Sequence, residues 1–186
     1  MRRLQLALAV VVLSLLAGCG IGSANTAPTT NSVQYNDTDI MFVQMMVKHY
    51  APAAEMLRMA RDKATSNEIR TLAAAVAVTQ DDERKTMLGW LSEWQQPETS
   101  DAHPDAHAAH GGLPGTGEAE LEALTKATGA EFDKTFLNLF TAHQHQAVEL
   151  ARMEVGSGHN KATMQLAERI DKSRRGQIEL MLKLMA

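Results

Sequence analysis

The sequence predicts an all-α protein: a four-helix bundle made from a duplicated helix pair, joined by a long crossover that carries one short extra helix. Three observations predict it. Apolar residues recur at helical spacing through most of the chain after residue 40, and no window shows strand alternation or hairpin chemistry. Shifting the sequence by 94 aligns residues 39–92 with 133–186 without a gap, and eleven positions are identical, among them Asp39/Asp133, Phe42/Phe136, His49/His143, Glu55/Glu149, Arg58/Arg152 and Met87/Met181. A stretch rich in Pro, Gly, His and Asp (95–117) separates the copies, which suits a crossover between two hairpins of a bundle.

The chain opens on an export signal, residues 1–18. Arg2 and Arg3 precede an apolar run from Leu4 to Leu16, broken only by Gln5 and Ser14, and the run closes on Leu16-Ala17-Gly18-Cys19. A run this short with these flanks reads as a cleaved signal and not as a spanning helix. The single cysteine of the chain stands where lipidation needs it, so Cys19 is expected to become the lipid-bearing first residue of a membrane-anchored envelope protein. The alternative is an ordinary signal cut near Ala17, with Cys19 incidental. Residues 19–36 then form the lipidated end and a flexible polar tether.

The domain spans residues 37–186. Cap residues at Asn36 to Thr38 precede a helix over Ile40–Ala60. Thr65-Ser66-Asn67-Glu68 offers a Thr-x-x-Glu capping box for a second helix running to about Trp94. A short helix is expected over Glu118–Ala127, a long one over Ala130–Val155 and a last one over Asn160–Leu184. After removal of the signal, 16 basic residues face 22 acidic ones, a net charge of −6 that argues against nucleic acid as a partner. With Cys19 at the terminus, the domain has neither a disulfide nor a free thiol for chemistry.

Two places could bind metal. On the first helix of each copy, Met45, Met46, His49 and Met56 share a face, and the second copy offers His143, His145 and Glu149. Thioethers favour Cu(I) and imidazole suits both copper states, so copper is the expected ion. Methionine at helical spacing is also ordinary core filler. The histidines carry more weight, because His49 and His143 occupy one repeat position and each precedes a glutamate, Glu55 or Glu149, by six residues. The second place is the linker, where His103, His107 and His110 lie among Asp101 and Asp105. That tract reads either as a ligand set for a divalent ion or as a solvated connector. Enzyme signatures are missing. No histidine has a glutamate three residues before it, and no nucleophile elbow, phosphate loop or Cys-x-x-Cys occurs. Gln80-Asp81-Asp82-Glu83 reads as a solvated helix face.

The run Phe42-Val43-Gln44-Met45-Met46-Val47-Lys48-His49-Tyr50, followed by Glu55-Met56, resembles the signature of the bacterial family called domain of unknown function 305. Phe136 to Ala151 is similar to the second copy of that signature. The resemblance covers residues 36–186. It implies a ferritin-like four-helix bundle, usually exported, and for some members copper binding through Met and His in periplasmic copper tolerance. The chain departs from the pattern at Tyr50, where the family has a second histidine. In the second copy that position is Gln144, with His145 displaced by about 100° around the helix. Phe140 stands in place of a methionine, Arg174 and Gln177 are the counterparts of Gln80 and Glu83, and Pro52 interrupts the first helix. The expected function is a membrane-anchored, extracytoplasmic metal-binding protein, copper first, that sequesters or hands on its ion and catalyses nothing. The competing reading is an envelope interaction or structural lipoprotein that has lost the site. A redox cuproenzyme is the third.

Overall fold

A computed structural model describes residues 34–98 and 116–186. The signal with Cys19, the tether up to residue 33, and His103, His107 and His110 lie outside the described residues. Five helices and no strand make up the described part: α1 (Asp37–Lys63), α2 (Asn67–Glu93), α3 (Glu118–Lys126), α4 (Gly129–Ser157) and α5 (Lys161–Met185). This is the expected all-α bundle. Pro52 lies inside α1, which continues across it as one helix.

The helix ends explain the architecture. Asn36 caps α1 reciprocally: its side chain accepts from Asp39 N at 3.0 Å, and the Asp39 carboxylate accepts from Asn36 N at 2.6 Å. The α2 cap is Ser66, whose Oγ accepts from Ile69 N. Thr65, expected in that role, instead gives its hydroxyl and backbone N–H to Asp133 of α4. The short connection before α4 turns at Gly129, whose φ of +58° is one that a β-carbon would strain.

Asp39 and Asp133 occupy the same repeat position, and each clasps the other half. The Asp133 carboxylate accepts from Thr65 and Ser66 at the start of α2. Asp39 accepts from His159 N, Asn160 N and Thr163 Oγ1 at the start of α5, at 2.8–3.2 Å. A carboxylate at a helix start also answers the positive end of the helix dipole. These donors hold the Asp39 carboxyl below its ordinary value, even though desolvation, the largest single influence on it, pushes the other way.

Helices α1 and α4, the first of each repeat, run antiparallel through the middle. Helix α2 packs on α1, α5 packs on α4, and α3 leans on both central helices. The apolar core falls into two clusters along this axis. One gathers Met56, Leu57, Ile69, Val76, Phe132, Phe136, Phe140 and Met181. The other gathers Phe42, Met46, Tyr50, Met87, Leu91, Trp94, Leu166 and Ile170.

One buried acid stands apart. Glu154 of α4 is wholly buried and its two oxygens meet no well-formed hydrogen bond, although Asp39 and Thr163 lie close enough to act on its proton. Its repeat partner is Ala60. Gly158 makes room for it: a β-carbon there would lie 2.5 Å from Glu154 Oε1, whereas in the first repeat the equivalent positions are Ala64 and the small Ala60. Burial, reinforced by the neighbouring Asp39, raises the Glu154 carboxyl from 4.5 to about 8.

The unfolded chain releases the Glu154 proton above 4.5 while the folded chain keeps it to about 8, so this group's stabilising contribution is full below 4.5 and is lost as pH rises towards 8. Glu154→Gln should therefore raise Tm at pH ~9 and change it little at pH ~5, as thermal melts would read. Asp39→Ala should destabilise by about 2–4 kcal/mol in urea unfolding, because it strands several part-buried N–H donors and the buried Thr163 hydroxyl together. The more exposed Asp133→Ala should cost about 1–2 kcal/mol, comparable to the loss of a helix cap.

Candidate metal centre

A polar layer crosses the bundle between the two apolar clusters. Each of the four long helices contributes two residues at its midpoint: His49 and Tyr50 from α1, Gln80 and Glu83 from α2, His143 and Gln144 from α4, Arg174 and Gln177 from α5. In repeat register these are four matched pairs, so the layer keeps the pseudo-twofold arrangement of the helices while its chemistry differs on the two sides. Tyr50 OH donates to Glu83 Oε2 at 2.6 Å, and its counterpart Gln144 Nε2 donates to Gln177 Oε1. Arg174 has no such mirror image. Its guanidinium donates to Glu83 and, at 3.3 Å, to Tyr50 OH. Asp81 and Asp82 are exposed beside Lys85, but Gln80 and Glu83 point inward, so the solvated face expected for this run holds for only half of it.

At the centre the histidines of the two copies meet. The rings of His49 and His143 stack with centroids 3.7 Å apart and planes 9° from parallel. His143 continues a ladder of nearly parallel rings along α4, 5.8 Å from Phe140, which lies 5.2 Å from Phe136. Thr116, just before α3, bonds His143 Nδ1 at 2.9 Å. The tautomer in which Nδ1–H donates to Thr116 leaves a lone pair on Nε2. The Nε2 atoms of both histidines are buried and without a partner, as are both amide atoms of Gln80 and Oε1 of Gln144. Buried polar atoms normally find partners, so this concentration of orphans marks the layer as a place suited to a ligand.

Both imidazoles are neutral. Burial is the main cause, and the Arg174 guanidinium adds to it, lowering His143 to about 3 and His49 well below its usual value; at His49 the neighbouring imidazole of His143 also contributes. Neutral imidazole is the form that ligates metal. One ion cannot lie in the planes of two parallel rings at once, so holding it between both nitrogens requires at least one ring to turn. His49, half-buried and free of the Thr116 bond, is the ring better placed to do so.

The remaining expected ligands divide. Met46 is fully buried one turn before His49, and Met45 is half-buried beside it. Met56 is buried two turns beyond His49, inside the apolar cluster with the phenylalanines. His145, Glu55 and Glu149 are all exposed, and Glu149 pairs with Arg152 at 3.2 Å. The chain thus brings together His49 and His143, with Met46 on the same face of α1, and points the glutamates and His145 outward. Among the described residues no group of three or more His, Cys, Asp and Glu could enclose an ion, so a metal here would depend on thioether donors. Sequence reasoning missed Arg174 and Glu83 as buried partners; the signal available for them was their place beneath the histidines in the repeat.

Several solved structures share the fold of this chain. A Streptomyces coelicolor protein of the DUF305 type, whose name assigns it to secretion, is 30% identical with a TM-score of 0.74, over 79% of this chain and 91% of that one. CopM, solved in Cu(I)-bound, Cu(II)-bound and apo forms, is similar at 26% identity and a TM-score of 0.63 in its Cu(I) form, over 78% of this chain and 94% of that one. A DUF305 fragment from Deinococcus radiodurans shares the fold, with 23% identity and a TM-score of 0.69, over 80% of this chain and 95% of that one. No curated protein sequence matches the chain. Residues 39–185 match the family described as domain of unknown function (DUF305), and the chain belongs to that family.

Proposed function

We propose that this protein is an extracytoplasmic copper-binding protein that holds its ion between α1 and α4, with His49 and His143 as the nitrogen ligands and Met46, assisted by Met45, as the sulfur donor. The observation that carries the reading is the pair of stacked, neutral imidazoles with buried, unpartnered Nε2 atoms, one from each repeat. Two imidazoles and a thioether form a soft, uncharged donor set, which suits copper better than calcium or magnesium. The likeness to CopM, solved with Cu(I), Cu(II) and silver, supports the choice of ion. The Leu16-Ala17-Gly18-Cys19 motif supports export and lipid attachment at Cys19. No helix among the described residues is long and apolar enough to cross a membrane. The role is sequestration or transfer of the ion; the layer offers ligands and no nucleophile or acid–base pair set against a substrate cleft. The second reading, a bundle that works through a protein partner and has lost its site, is favoured by the lack, among the described residues, of a third His, Cys or carboxylate ligand.

Isothermal titration of the full chain in detergent with Cu(I), Cu(II) and Zn(II) separates these readings. The double variant His49→Ala/His143→Ala should weaken copper binding by at least about tenfold while the helical signal is kept. Unchanged binding would move the ligands to His103, His107 and His110, and no binding in the parent chain would leave the partner reading standing. Met46→Leu preserves core volume and should weaken Cu(I) binding while leaving Cu(II) binding near its original strength.

A further inference from the structure

Thr116 reaches the histidine pair from outside the four long helices: its Oγ1 lies 2.9 Å from His143 Nδ1. Its place is held by α3. Gly117 caps that helix, its N–H donating to Glu120 Oε2 at 2.9 Å, and the wholly buried Leu124 sets the helix into the cluster around Phe132, Phe136 and Phe140. Lys63 of α1 adds a bond from Nζ to Thr125 O at 2.6 Å. A docked helix therefore holds the hydroxyl against His143.

A hydroxyl can donate or accept in such a bond. If Thr116 donated, the ring proton would stand on Nε2, which is buried and meets no acceptor. An unanswered buried N–H is a rarer orphan than an unanswered lone pair. If Thr116 accepts, Nδ1–H is satisfied and Nε2 keeps an open lone pair. Thr116 is half-buried, so its own hydroxyl proton can turn towards water.

We infer that Thr116 is a positioning residue of the metal centre: its oxygen holds His143 in the Nδ1–H tautomer, so that Nε2 is ready to bind and His143 serves as the fixed ligand towards which His49 turns. The inference rests on the copper-binding reading above and gives its two nitrogen ligands unlike parts. His143 is 1% exposed, bonded at Nδ1 and stacked 5.8 Å from Phe140, whereas His49 is half-buried. Setting the tautomer and the ring angle before the ion arrives removes a reorganisation that would otherwise weaken binding.

The test uses two variants. Thr116→Val keeps the shape of the side chain and removes the hydroxyl, and Thr116→Ser keeps the hydroxyl. Nitrogen NMR of the metal-free full chain in detergent reads the tautomer of each histidine, and the parent should show His143 protonated on Nδ1. Thr116→Val should move that proton towards Nε2, leave His49 as it was, and weaken Cu(I) binding by about tenfold in competition titration. Thr116→Ser should match the parent in both measurements. A parent His143 protonated on Nε2 overturns the inference, and that spectrum decides the point even if a variant fails to fold. So does a tautomer or a Cu(I) affinity that Thr116→Val leaves unmoved, and so does an equal loss in Thr116→Ser, which would make packing the cause. All of these leave the copper reading standing. Failure of the parent chain to bind Cu(I), with His143 still protonated on Nδ1, overturns that reading and with it the ligand role assigned here.

Discussion

The bundle is organised around a polar layer that its apolar core must flank. A guanidinium as deeply buried as Arg174 is tolerable only where an anion meets it, and Glu83, held in turn by Tyr50, is that anion. Such a pair contributes little net stability compared with apolar packing, but it narrows the possible arrangements. Sliding α5 by one turn against α2 would bring Arg174 against apolar residues and leave Glu83 unanswered. The layer therefore fixes the register of four helices whose Leu, Ala, Val and Met surfaces would tolerate several, and in doing so it fixes the height at which the two histidines meet.

The ends of the bundle are set by a second device of opposite character. At the middle the two repeats differ; at the clasps, Asp39 and Asp133 do the same work in both copies. Each of these carboxylates, near the start of its helix, leaves its own hairpin to receive the backbone donors of the other hairpin's loop. The halves are thus tied at both ends by symmetric contacts, while the centre is free to vary because the clasps and the flanking clusters hold the frame. Glu154 shows the limit of that freedom: its burial near Asp39 was accommodated by glycine at 158, at the expense of stability in alkaline conditions.

The sequence showed the helices and the duplication, and it singled out His49 and His143 without showing that the two rings meet. Helical periodicity and the 94-residue shift located the elements to within a few residues, since capping and amphipathic spacing are local. The misplaced α2 cap had a long-range cause: Thr65 was claimed by Asp133, 68 residues away. The glutamates at 55 and 149 share the histidines' six-residue spacing, but six residues is well short of two full turns, and in the fold they face water. The acid-rich run at 80–83 misled because composition cannot tell which of four neighbours turns inward; that required α5 and its arginine. What the repeat register did contain was the pairing of Gln80 with Arg174 and of Glu83 with Gln177, a local break in an otherwise matched pattern.

The one-sided placement of Arg174 also constrains the molecule's ancestry. A helix hairpin that paired with an identical copy of itself would present every side chain twice about the axis, and an arginine on one strand of descent would be answered by another across from it. A single Arg174–Glu83 pair on one side of two symmetry-related imidazoles is unattainable in such a homodimer. Joining the hairpins in one polypeptide released the two positions from each other, so that mutation could make the two sides of the layer differ while leaving the paired rings in place. Whatever the earliest form held on its axis, a layer with different partners on its two sides became accessible only once the two halves were encoded separately.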